Sequence, residues 1–140
     1  MISILLMVLV GVCNAVMDVL FTRYDKSIFT KFNPEWWNPQ ISWKWKWDMP
    51  LHPSPHYWYY FGFYPAYAER FPYSSTIFVW VTDAWHFFKA LMIGFCCLAI
   101  VYYEPCLGTF WDFVLCYCAW TFTFTMCYDY LFIKDEEPAA

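Results

Sequence analysis

From Ser75 to Tyr103 the chain is apolar for longer than a bilayer crossing requires, yet the first half of that run carries Asp83, His86 and Lys89 at intervals of three. About 20 predominantly apolar residues span a hydrocarbon core, and ionisable side chains within it are costly whether paired or not. Any fold for this chain must therefore set these three groups against protein, water or the membrane boundary.

Two more apolar runs, residues 2–21 and 109–133, have the same character. Charged residues make up 14% of the chain and hydrophobic ones 61%, whereas charged side chains in soluble domains are about a quarter. The expectation is an all-α membrane protein: one domain, residues 1–140, with about three transmembrane helices (2–21, 75–103 and 109–133). A formal net charge of −4 with no basic stripe excludes a nucleic-acid partner. The bilayer is the first expected partner.

Residues 1–15 imitate a signal peptide, with Cys13-Asn14-Ala15 as the nominal cleavage site. No positive charge precedes Ile2, and the apolar run continues to Phe21, so an uncleaved helix is expected. The seven cysteines lie almost wholly inside apolar runs and read as small hydrophobes. Cys106 is the exception, in the polar break that follows Glu104 and Pro105.

The connection, residues 22–74, holds seven of the nine prolines and is rich in Trp and Tyr. Regular structure is not expected through most of it. Asn33-Pro34 and Asn38-Pro39 are turn signals on either side of Trp36 and Trp37. Trp43-Lys44-Trp45-Lys46-Trp47 alternates strictly, giving an aromatic face and a cationic face if extended. Trp rings favour the headgroup region and Lys attracts anionic lipid, so Trp36, Trp37, Trp43, Lys44, Trp45, Lys46 and Trp47 are expected to form a lipid-interface belt.

Residues 104–108 form a short turn, so the second and third helices should be antiparallel neighbours. Basic residues Arg23, Lys26, Lys31 and Arg70 lie in the connection, and the 104–108 turn has none. The connection is thereby expected to be cytoplasmic, with the N-terminus outside and the C-terminus inside.

An up, down, up arrangement brings Asp18, Asp83, His86, Lys89 and Asp129 to one level near that boundary. Asn14 lies one turn deeper than Asp18 on the same face, and Thr121, Thr125 and Asp129 share a face on the third helix. Asp112 and Glu104 belong to the opposite surface. Three chemistries fit the layer. Asp18, Asp83 and His86, with Asp129 as a further ligand, have the donor types of a divalent metal site, although His52 and His56 would have to fold back to add histidines. A carboxylate beside a histidine also suits proton or ion handling, which three helices would need an oligomer to enclose. The leading account is structural: Asp83 pairs with Lys89 or His86 and Asp18 binds an adjacent backbone, locking helix register. Hydrolase motifs such as Gly-x-Ser-x-Gly and His-Glu-x-x-His are absent, as is a phosphate-binding glycine loop.

Three stretches carry a resemblance. They are Asn14-Ala15-Val16-Met17-Asp18, the run from Phe32 to Lys44 containing Trp36-Trp37-Asn38-Pro39 and Ser42-Trp43-Lys44, and the run from Ser74 to Lys89 containing Thr82-Asp83-Ala84-Trp85-His86. Over residues 14–89 the chain resembles a family of small uncharacterised membrane proteins of bacteria and their phages. The resemblance implies the membrane architecture and the site positions, and no activity. Chains of that pattern carry a histidine where this one has Arg23, a fixed cation that pairs with a carboxylate instead of joining a metal site. The functional expectation is a structural or accessory membrane protein within an oligomer or larger complex. The alternative is a membrane-embedded, metal-dependent enzyme acting on a lipid or other amphiphile.

Overall fold

The computed structural model describes residues 1–43, 47–48, 68–69, 71 and 73–134. Three helices in it are long and apolar enough to cross a membrane, and the protein is an all-α, multi-pass membrane protein rich in aromatic clusters. Extended pairing among the described residues amounts to a two-residue antiparallel ladder, Trp47 opposite Glu69 and Asp48 opposite Ala68, and one isolated bridge.

Helix α1, Ile2–Thr22, is the spine. Its apolar side chains run all round, and its last turn closes where Arg23 donates its N–H to the Val19 carbonyl at 2.9 Å. Helix α4, Ala84–Val101, and helix α5, Thr109–Met126, each lie along α1 and barely meet each other. The transmembrane unit is therefore an open layer of three with α1 in the middle. Where α1 crosses α5, Gly11 makes the approach close. A Cβ on Gly11 would lie 2.8 Å from the Trp120 carbonyl oxygen and 3.1 Å from Thr123 Cβ. Lipid tails are as apolar as leucine, so such close backbone packing, and not hydrophobic transfer, holds helices together at this depth.

The second helix is shorter than its apolar run suggests. Expected over 75–103, it begins at Ala84 and ends at Val101. Asp83 is extended, with φ −157° and ψ 161°, and its side chain takes the N–H of His86, which is the geometry of an N-cap. Residues 73–82 form hydrogen-bonded turns and a short 3-10 helix instead. The third helix also departs from regular form, ending in a π turn over Cys127–Leu131.

The first part of the connection is ordered by local signals. Two 3-10 turns, Tyr24–Lys26 and Ile28–Lys31, precede two one-turn helices, α2 (Pro34–Trp37) and α3 (Pro39–Ser42). Asn33 caps α2 by accepting the Glu35 N–H, and Asn38 caps α3 by accepting the Gln40 N–H, both at 3.0 Å. Proline suits the residue after each cap because its missing N–H would have no partner there. The two Asn-Pro signals thus start helical turns, whereas the expectation was largely irregular chain.

These turns fold over the end of the spine. Val16, Val19 and Leu20 of α1, Phe29 and Ala84 make the buried core, and Trp36, Trp37, Phe88, Tyr128 and Phe132 pack around it. Trp37 stacks on Phe29 with centroids 4.9 Å apart and planes 7° from parallel, and Phe132 tilts onto the same ring at 5.2 Å. The last described residues complete the cap. Ile28 donates its N–H to the Phe132 carbonyl, and Lys134 donates to the Lys26 carbonyl.

Candidate functional site

The end of α1, the start of α4 and the end of α5 meet beneath this aromatic cap. Asp83 owes its position to the strand-like backbone ahead of α4 and to burial; it is 3% exposed. Its carboxylate accepts the His86 N–H at 2.9 Å, and both of its oxygens lie 2.8 Å from His86 Nδ1. The Thr82 hydroxyl sits between the Val79 carbonyl, 2.7 Å away, and Asp83 Oδ2 at 3.2 Å. A carboxylate at a helix N-terminus also faces the positive end of the helix dipole, which favours the ionised form. With Nδ1 against the carboxylate, Nε2 lies on the far side of the ring from Asp83.

An Asp-held imidazole is the unit from which proton-transfer and metal sites are built. Among the described residues, no group of three or more His, Cys, Asp or Glu is placed to hold a metal ion. His52 and His56 lie outside the described residues. Of the other members of the layer, Lys89 turns back along α4, its Nζ 4.9 Å from the centroid of Trp85, and the Trp85 ring meets His86 edge-on. The expected alternative partner of Asp83, Lys89, is engaged by an aromatic ring.

Asp129 is drawn to the spine. Arg23 Nη1 lies 3.2 Å from Asp129 Oδ1, and the same guanidinium covers the Tyr128 ring at 4.1 Å. Arg23 pairs with a carboxylate, as its fixed charge leads one to expect. Thr22 adds a bond between its hydroxyl and that of Tyr128. Asp18 and Asn14 are half-buried on α1, and neither side chain has a hydrogen-bond partner among the described residues. The five groups do not form one cluster: among the described residues Asp83 meets His86, Asp129 meets Arg23, Lys89 lies over Trp85, and the Asp18 carboxylate has neither a partner among them nor the adjacent backbone expected for it. Of the shared face on α5, Asp129 lies in the π turn, and Thr121 Oγ1 is buried with no partner among the described residues.

The interface residues also separate. Trp36 and Trp37 are built into the cap, Trp36 reaching Phe87 with centroids 5.8 Å apart. Trp43 is exposed and donates its indole N–H to the Gln40 carbonyl. Lys44, Trp45 and Lys46 lie outside the described residues, as does the side chain of Trp47. Tyr24, packed against the cap, has its hydroxyl pKa pushed up first by burial and then by the Asp25 carboxylate.

Sequence reasoning placed Asp112 at the opposite surface and gave it no task. It is 6% exposed there and gathers the α4–α5 turn, accepting the N–H groups of Cys106 and Leu107 at 3.0 and 3.1 Å and the Tyr103 hydroxyl at 3.1 Å. An acid in the first turn of a helix, just after a Gly108 held at φ 100°, was the available signal. Ser3 ties the start of α1 to the same end through the Tyr102 carbonyl.

Comparison of the chain with protein-family models, with curated proteins and with solved structures finds no match. What the protein does has to be read from its own residues.

Proposed function

We propose that this chain is a structural or accessory membrane protein that works within a homo-oligomer or a larger membrane complex. The observation that carries this reading is the open layer. Both outer helices spend their packing on α1, and their outward faces present Ile93, Leu98, Phe110, Trp111, Phe113, Tyr117 and Phe122. Ala84 and Ala99 are the residues of α4 that are buried, and Asp112 is the one of α5. Small residues inside and large aromatics outside suit lateral association, where broad side chains meet a neighbouring helix or lipid. Asp83 is taken up in a cap, Asp112 in a turn, and Arg23 with Asp129 in an ion pair, which are tasks of construction.

Extraction in a mild detergent tests this directly. Native mass spectrometry is expected to find an oligomer or a stoichiometric membrane partner, and a monomer with no co-purifying partner removes the accessory role. The Asp83-held His86 favours one second reading, a metal-dependent enzyme acting on an amphiphile. Metal analysis of the purified protein beside Asp83→Ala and His86→Ala decides it: metal retained by the parent and lost from both variants establishes a metal site, and absence from all three removes it.

The connection is proposed to be cytoplasmic, on the strength of Arg23, Lys26 and Lys31 at the capped end. Cys106 is exposed at the other end and reports on this. Labelling by an impermeant maleimide from outside intact cells is expected; labelling only from the cytoplasm reverses the topology.

A further inference from the structure

The segment before α4 is built inside out. Within residues 73–82, Ser74 is fully buried and Thr82 nearly so, whereas Ile77 is 63% exposed and Phe78, Trp80 and Val81 each exceed 40%. A loop in water shows the reverse pattern, because exposed apolar side chains there gain nothing and buried hydroxyls need partners. We infer that residues 73–82 form an in-plane foot that inserts Ile77, Phe78, Trp80 and Val81 into the phospholipid leaflet beside the start of α4.

Helix lengths supply an independent reason. At 1.5 Å per residue, α1 is about 31 Å long and α5 with its π turn about 34 Å, but α4 is about 27 Å, against a hydrocarbon core of about 30 Å. α4 alone falls short of its neighbours, and the shortfall lies at the end where the foot begins. An apolar segment lying in the plane there makes up the missing thickness without thinning the bilayer.

The backbone permits it. Peptide groups at this depth need partners other than water. Thr76 and Phe78 both donate to the Tyr73 carbonyl, Val81 donates to Phe78 and Thr82 to Val79, so these four donors find their partners within the segment. Tyr73, at φ 64°, is the left-handed residue that turns the chain into the first of these bonds. Lys89, one turn and a half into α4, reaches back toward Trp85 and the membrane surface, as a lysine below the boundary does. The buried Asp83 carboxylate is then screened from lipid by the foot that precedes it.

A photoreactive benzoylphenylalanine placed at Ile77 or at Trp80 of the full chain, reconstituted in phosphatidylcholine nanodiscs, tests the proposal. The same residue at Ile93, exposed in the middle of α4, is the positive control for lipid capture. After irradiation, intact mass is expected to show phospholipid adducts at 77 and 80 within about threefold of the yield at 93, since interfacial segments sit at the acyl boundary. Adducts at 93 alone overturn the proposal. So does cross-linking from 77 and 80 chiefly to protein, which would make the apolar face an interface between polypeptides.

Discussion

Replacing Gly11 with alanine is the most exacting test of how the layer holds together. The added Cβ would stand 2.8 Å from the Trp120 carbonyl oxygen, 3.1 Å from Thr123 Cβ and 3.3 Å from the Phe124 nitrogen. Two of the three obstacles are backbone atoms, which no rotamer change can move, so α1 and α5 must part by several tenths of an ångström. Overpacking of this kind costs about 1–3 kcal/mol, and alanine returns up to about 1 kcal/mol through its better helix propensity. The expected net loss is about 1–2 kcal/mol, or roughly a five- to thirty-fold fall in the ratio of folded to unfolded protein. Equilibrium unfolding in mixed micelles, followed by circular dichroism, measures it. Gly94→Ala is the matched control: Gly94 lies inside α4 with nothing within 4 Å of a Cβ, so only the helix-propensity gain remains and a change from zero to about 1 kcal/mol in the stabilising direction is expected. If the two variants unfold together, close packing of α1 on α5 does not hold the layer and the reasoning fails.

Other perturbations separate the polar units by size. Asp83→Ala removes the cap of α4 and is expected to lower stability by about 1–2 kcal/mol, and Asp83→Asn, which keeps an acceptor for the His86 N–H, by less; chemical unfolding that ranks them equally would deny the cap. Asp112→Ala strips the acceptor from two backbone N–H groups and the Tyr103 hydroxyl, and a loss of about 2 kcal/mol is expected, with faster hydrogen exchange at Cys106 and Leu107 as its local signature. The Arg23–Asp129 pair is about 40% exposed on both sides, so a double-mutant cycle is expected to return a coupling under about 1 kcal/mol that shrinks with salt. Trp37→Ala opens the stack on Phe29, and a loss of about 3 kcal/mol or more in thermal or chemical unfolding is expected.

The span count was legible in the sequence because it follows from apolar length, whereas the neighbour relation expected of the second and third helices across their short turn was not: both pack on α1 and barely meet each other. Nor was the start of α4. Periodicity extends an apolar run through Ile77 and Val81 as readily as through Leu91, and only the Thr82-Asp83 pair, an N-cap signal, marks the true boundary. Grouping by level also overstated the site, since residues at equal depth on an open layer need not face one another. Asp83 found His86 on its own helix, and Asp129 found Arg23, one residue beyond the spine. The cap escaped because its bonds join Lys26 and Ile28 to residues near the far end of the chain, a pairing no local pattern announces.

That late pairing sets an order of events. α1 leaves the ribosome before α4 and α5 and is the element on which both pack, yet the seal over its end includes Phe132 against Phe29 and the Ile28 N–H on the Phe132 carbonyl. Until those residues have been translated, Phe29 and its neighbours lack one wall. The nascent protein therefore carries an unfinished aromatic surface from the emergence of Phe29 until Phe132 has been made, and closing that surface ties the end of α1 to the end of α5.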